Sequence, residues 1–197
     1  WPPGQRHAEK PNSITAPLFM PIIRPCQASD LAGITDIYAH HVLNGTGTFE
    51  IDTPSEQEMT ARWAEVRAKN LPYLVAAEGA QVLGFAYCNW FKPRPAYRFS
   101  AENSIYLAPS TQRQGLGRAL LAELCAQAEA AGLRRLIAVI GDSANAGSIG
   151  VHLSVGFSHV GVLKACGWKF ERWLDVVMME RALGRADSCG PTQVRAQ

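Results

Sequence analysis

The stretch from Ser104 to Ile140 constrains the fold of this chain more than any other. Ser104-Ile105-Tyr106-Leu107 reads as the end of a strand that stops at Pro109. A turn holding Gly115 and Gly117 follows, and Leu116, Leu120, Leu121, Leu124 and Ala128 then recur at helical spacing until Gly132 ends the helix. Leu136-Ile137-Ala138-Val139-Ile140 is a continuous apolar run of the kind buried on both faces of a sheet. Strand, Gly-rich turn, amphipathic helix and buried strand make a βαβ crossover, so the two strands are expected to be parallel neighbours.

Other elements surround this unit. Ser29-Asp30 caps a helix running to about residue 43, with Leu31, Ile34, Ile37 and Tyr38 on one face. Thr53-Pro54-Ser55-Glu56 reads as a capping box with Pro at the first helical position, opening a second helix to about residue 69. Strands over residues 73–77 and 82–91 are joined by the hairpin Glu78-Gly79-Ala80-Gln81. A last helix over 146–155 and strands over 158–165 and 173–180 complete an α/β domain with a mixed sheet, spanning residues 20–184. Residues 1–19 are Pro-rich and without period, as in a disordered tail or an appended extension, and Met20 is the expected natural start. Residues 185–197 read as a second polar tail.

Charge and cysteine usage exclude several classes. The 19 basic residues nearly balance the 17 acidic ones, a net charge of +2, so no single-sign field exists to hold nucleic acid by its phosphates. No run of 18 apolar residues exists to span a membrane, and Thr15, Pro17 and Pro21 interrupt the one stretch that resembles a signal core. The five cysteines form no C-x-x-C pair and have no histidine spacing for zinc, so no metal is expected. Four of them read as small buried hydrophobes of a reducing cytosol, which makes the expected compartment cytoplasmic.

Gln112-Arg113-Gln114-Gly115-Leu116-Gly117-Arg118 opens the central helix. A helix N-terminus presents unpaired N–H groups and the positive end of the macrodipole, and glycines let a phosphate approach, so pyrophosphate is the natural guest. A plain tight turn remains the alternative from spacing alone. A Walker loop is excluded because Arg118-Ala119 follows Gly117, and the dinucleotide fingerprint fails at Leu120. Asp142, near the end of the next strand, keeps a dehydrogenase in view as the weakest reading.

These residues resemble the acetyl-CoA pyrophosphate signature of the GNAT superfamily of N-acetyltransferases. The resemblance extends through Thr48-Phe49-Glu50, Arg94-Pro95-Ala96-Tyr97, Glu102-Asn103-Ser104-Ile105-Tyr106-Leu107, Val139-Ile140-Gly141, Asn145 with Ser148, His152 followed by Gly156-Phe157, and Trp173-Leu174-Asp175-Val176. This order is similar to the phosphinothricin acetyltransferase branch, whose substrates are phosphinothricin, methionine sulfoximine and related amino-acid analogues. It implies a mixed, mostly antiparallel sheet with a central splayed parallel strand pair, flanked by helices. It also implies acetyl-CoA as co-substrate and a homodimer.

Acetyl transfer needs a neutral amine, donors for a negative oxygen and a proton for the leaving thiolate. Glu102 stands where the branch carries its proposed base. The oxygen is expected to meet a backbone N–H near Leu107, with Ile105, Tyr106, Leu107 and residues 112–118 forming the cofactor site. Asn145 and Ser148 match positions facing the pantetheine arm, and Asn145 also reads as an N-cap. His152 reads equally as proton donor for the thiolate or as a core histidine, with Tyr106 or water as substitutes. For the acceptor, Arg94 and Tyr97 match the substrate loop, where a guanidinium suits a carboxylate, and Phe49 matches the aromatic wall. His40 and His41 are expected only to pack or to face solvent. Trp168, Phe170 and Trp173 line either a subunit interface or the far side of the pocket. The leading expectation is direct acetyl transfer to the α-amine of a small amino acid or analogue. Transfer to protein N-termini or polyamines is the second enzyme reading, and a non-catalytic acyl-CoA-binding module the reading from another class.

Overall fold

The computed structural model describes residues 21–111 and 113–191. One seven-stranded sheet is built from β1 (Ile22–Pro25), β2 (Tyr73–Glu78), β3 (Gln81–Trp90), β4 (Ser100–Leu107), β5 (Arg135–Gly141), β6 (Ser158–Lys169) and β7 (Arg172–Ala182). The spatial order is β1-β2-β3-β4-β5-β7-β6, and only β4 and β5 run parallel. Four helices flank it: α1 (Leu31–Asn44), α2 (Glu56–Ala68), α3 (Leu116–Ala130) and α4 (Ala146–Ser154). The central crossover is as the sequence predicts: α3 joins parallel β4 and β5 and buries Leu116, Leu120, Leu121, Leu124 and Ala128.

Helix α1 forms where the pattern demands, burying Leu31, Ile34, Ile37, Tyr38 and Val42. Its start is tied down by Asp30, only 3% exposed, which accepts bonds of 2.7 and 2.8 Å from the Arg24 guanidinium and 2.8 Å from the Gln27 N–H. The cap of α2 lies two residues beyond its predicted place. Ser55, not Thr53, is the N-cap, its Oγ accepting from Glu58 N–H at 3.2 Å, and Pro54 stands outside the helix. The reason is that Ser55 and Glu58 themselves hold the three-residue capping spacing.

β5 departs from the expectation of burial on both faces. Leu136, Ala138 and Ile140 are buried, whereas Ile137 and Val139 are half-covered. α1 and α2 cover β2 to β4, and neither packs appreciably on β5, so one face of that strand opens toward a cleft. Cys26, Cys88 and Cys125 are buried in the core, but Cys166 is exposed because it sits on the outer strand β6. Turns occupy residues 184–187 and a bend follows at 188–189, closed by Ala186 N–H to Leu183 O and Ser188 N–H to Arg185 O, both 2.9 Å. Residues 1–20, which include the expected start at Met20, and 192–197 lie outside the described part. Among the described residues no helix is long and apolar enough to cross a membrane.

Candidate active site

The two parallel strands pair only briefly. Ser100–Asn103 lie against Arg135–Ala138, after which β4 continues to Leu107 along β3 and β5 to Gly141 along β7. A wedge therefore opens between residues 104–107 and 139–141. Phe99 O accepts on the β5 side and Ala108 N–H bonds Leu83 O at 2.8 Å on the β3 side. Strand alternation then turns the peptide groups of Ile105 and Leu107 into the wedge. The Leu107 carbonyl accepts from His41 Nε2 at 2.9 Å, leaving the Ile105 and Leu107 N–H groups directed at the opening. His41 thus lines the cleft instead of merely packing. The wedge is the floor of a cleft of about 880 Å³. A smaller crevice of about 250 Å³, lined by Trp63, Arg67 and Gln127, contains none of the predicted site residues.

At one end of the cleft stands the N-terminus of α3. Arg113 and Gly115 adopt left-handed backbone, φ 63° and 80°, and a Cβ on Gly115 would meet no atom within 4 Å. The first helical bond closing onto Gly115 is Ala119 N–H to its carbonyl at 3.1 Å, so the N–H groups of Leu116, Gly117 and Arg118 precede the intrahelical ladder. The open space above Gly115 beside these donors fits a phosphate. Gly117 serves packing as well, since a Cβ there would lie 3.2 Å from Leu107 and 3.5 Å from Val151. Arg113 lines the cleft, Arg118 is exposed, Leu116 is buried, and Gln114 is exposed with its amide donating to Ser110 O at 3.3 Å. Gln112 lies outside the described residues.

Three carboxylates share the cleft, and their partners separate them. Glu50 accepts from Tyr38 Oη and Arg62, both at 2.7 Å. Asp142 accepts from Ala144 N–H at 3.0 Å and from Arg172 at 2.8 Å, which with the other contacts there hold its pKa below the usual carboxylate range. Glu102 has no ion pair among the described residues, and burial pushes its pKa up, with the Lys92 charge opposing. It also stands one residue before the end of β4–β5 pairing. Of the three it is the carboxylate free to take a proton. The sequence does not by itself place Glu50 in this cleft; Asp142, which it offers as a ribose ligand and as part of a loop bordering the acceptor pocket, does line the cleft, with Arg172 bonded to its carboxylate. Tyr106 packs edge-on against Tyr38 at 4.9 Å, and burial drives its phenol far above its ordinary pKa.

His152 is 2% exposed, with both ring nitrogens engaged. Nδ1 lies 2.8 Å from the Ser148 carbonyl, which can only accept, so Nδ1 carries the proton and Nε2 accepts from the Asn103 amide at 2.9 Å. Burial lowers the pKa of the ring, the Ser148 bond opposing. A neutral imidazole with its one proton held by a carbonyl has none to give from Nε2. Asn145 is the N-cap of α4, Oδ1 accepting from Ser148 N–H at 3.2 Å, and it lines the cleft with Ser148.

Phe49 walls the opposite side. A Cβ on Gly141 would lie 2.8 Å from its ring and overlap the Thr46 carbonyl, and one on Gly167 would overlap the Phe49 ring. Arg94 and Tyr97 are not brought into this cleft: both are exposed on the loop between β3 and β4, where Tyr97 meets Phe91 edge-on at 6.0 Å. Among the described residues no group of His, Cys, Asp and Glu could hold a metal ion.

The family model described as an acetyltransferase (GNAT) domain matches residues 23–178. A phosphinothricin N-acetyltransferase of Alcaligenes faecalis is 48% identical over 169 residues, 86% of each chain. An L-methionine sulfoximine/L-methionine sulfone acetyltransferase of Pseudomonas aeruginosa is 38% identical over 160 residues, 80% of this chain and 92% of the relative. The crystal structure of a GNAT superfamily phosphinothricin acetyltransferase from Sinorhizobium meliloti in complex with AcCoA superposes with a TM-score of 0.85 at 43% identity, covering 88% of this chain and 94% of that one.

Proposed function

This chain belongs to the GNAT acetyltransferases and is an acetyl-CoA-dependent N-acetyltransferase, and from that premise we propose that its acceptor is the α-amine of a small amino acid or analogue of the phosphinothricin, methionine sulfoximine or methionine sulfone type. The observation that carries the reading is Glu102, the cleft carboxylate with no ion pair, whose buried position favours accepting a proton at the point where the strands part. An acceptor ammonium must lose a proton before it can attack, and Glu102 takes it directly or through water. The donor supplies an activated acetyl group as a thioester: the amine nitrogen bonds its carbonyl carbon, the C–S bond breaks, and the leaving thiolate takes, through water, the proton that the new amide nitrogen loses. The N–H groups of Ile105 and Leu107 are placed to bond its carbonyl oxygen as negative charge gathers there. The N-terminus of α3, with Arg113, holds the pyrophosphate, and Asn145 and Ser148 border the pantetheine arm.

His152 serves here by holding Asn103 and α4 in place, and becomes a proton donor only if Nε2 gains a proton and the Asn103 amide turns over. Of the cations on the loop between β3 and β4, Lys92 is the one whose charge is felt at Glu102, and it suits an acceptor carboxylate. Polyamines fit less well, because Arg62 and Arg172 already neutralise Glu50 and Asp142. The decisive experiment is thiol release from acetyl-CoA against amino acids, methionine sulfone, methionine sulfoximine, phosphinothricin, short peptides and polyamines. Turnover confined to polyamines or peptides would overturn the acceptor assignment.

We also propose a homodimer of the reducing cytosol. The β6–β7 hairpin ends the sheet and exposes Val160, Val162, Leu163, Trp168, Phe170 and Trp173, a strip long enough for a second copy to cover. The five cysteines stand free, as a reducing compartment allows. Sedimentation equilibrium at micromolar concentration measures the mass, and a monomer would refute the dimer.

A further inference from the structure

Lys169 is 4% exposed, although lysine is almost never fully buried without a partner. Its ammonium donates to two main-chain carbonyls, Gly45 O at 2.9 Å and Thr48 O at 2.8 Å. Both belong to the segment between α1 and α2, which has no strand to pair with. Gly45 is the C-cap of α1, so the ammonium also meets the negative end of that helix. Glu50 attracts it through space, and the Phe170 ring lies 5.0 Å from Nζ. Two residues earlier on the same strand, Gly167 leaves room for the Phe49 ring, which a Cβ would displace. Alternation puts residues 167 and 169 on the side of β6 that faces segment 45–50, while Trp168 points the other way, exposed, and Phe170 is exposed in the turn beyond.

We infer that Lys169 is a positioning residue for the acceptor: from β6 it pins segment 45–50, and with Gly167 it fixes where Phe49 stands in the cleft. The inference rests on the acetyl-transfer reading for its kinetic consequence and on the hydrogen bonds alone for its structural one. Desolvating an ammonium is costly, and an apolar side chain of similar length would avoid that cost but leave two inward carbonyls without donors. The lysine is retained where it supplies donors that nothing else in the segment supplies. The pyrophosphate turn at α3 is untouched by these bonds, so the effect belongs to the acceptor side.

The test is Lys169→Met, which keeps the stem and removes the donors. Amide exchange over residues 45–50 should accelerate at least tenfold while residues 119–130 of α3 keep their protection. The acceptor KM should rise about tenfold or more, with the acetyl-CoA KM within twofold of the parent. Gly167→Ala, which leaves the lysine intact and displaces Phe49, should raise the acceptor KM in the same selective way, and it decides the matter if Lys169→Met fails to fold. Unchanged exchange in a folded Lys169→Met, equal changes in both KM values, or an unchanged acceptor KM in Gly167→Ala would each overturn the assignment. If the parent protein transfers acetyl to no amine, the functional reading falls by itself, and the exchange measurement still decides whether Lys169 holds the wall.

Discussion

Replacing Glu102 by Gln removes the proton acceptor while keeping shape, hydrogen-bonding reach and the strand around it. A positioned base contributes about 10²–10⁴-fold, so kcat/KM for the acceptor should fall by that factor near pH 7. The residual rate then depends on free amine. With an α-amine pKa of about 8 or higher, at most roughly 10% is neutral at pH 7, so the variant should regain at least about tenfold by pH 9. The parent enzyme behaves differently. Burial holds the Glu102 pKa above its ordinary value, so the parent's activity should fall as pH drops through that raised pKa, and this acidic limb should vanish in the variant. Thiol release measured from pH 5 to 9 at saturating acetyl-CoA follows both limbs, and calorimetry should find acetyl-CoA binding unchanged. A variant with parental kcat/KM at pH 7, or a defect of constant size from pH 7 to 9, would refute Glu102 as the base.

Gly115→Ala places a Cβ on backbone at φ 80°, which costs about 1–2 kcal/mol or forces the turn to relax. Calorimetry should show acetyl-CoA binding at least tenfold weaker, and unchanged affinity would remove the turn from the cofactor site. Lys92→Ala should raise the acceptor KM and leave the acetyl-CoA KM nearly alone, since its charge reaches Glu102 and only the acceptor brings a carboxylate; equal effects would mean that the loop is structural. Burial lowers the pKa of both His41 and His152, so the unfolded chain binds more protons near pH 6 and folding stability rises with pH there. Their contribution is full above about pH 6.5 and is lost as pH falls toward the lowered values. Thermal melts from pH 7.5 to 5.5 should show that slope, and His152→Gln should flatten part of it.

The elements were legible where periodicity carries them. The leucines of α3 repeat at helical spacing, the glycines of its turn mark a close approach, and β5 is too apolar to stand at an edge. The order of the sheet was less so, because β7 inserts between β5 and β6 through pairings that neither strand advertises. The shifted cap at α2 has a local cause: Thr53 and Ser55 both suit an N-cap, and only the position of Glu58 separates them. Burial of β5 was overread because an apolar run does not reveal that α1 and α2 stop covering the sheet at β4.

The cleft divides in a similar way, and the division has a physical origin. Glu102 and Gly115 were singled out by chemical type within the resemblance, and Phe49 by the resemblance alone. His41, Asn103 and Lys169 were not, and two of these three act on main-chain carbonyls, of Leu107 for one and of Gly45 and Thr48 for the other. Every residue carries a carbonyl, so a donor bonded to one leaves no complementary mark at the acceptor position. Glycine is the exception that does leave a mark: Gly141 and Gly167 are small where Thr46 and Phe49 press against them. The role of His152 stays open in the sequence for the same reason. Its role depends on which nitrogen holds the proton, and that is set by the Ser148 carbonyl one turn away, a partner that any residue at position 148 would supply.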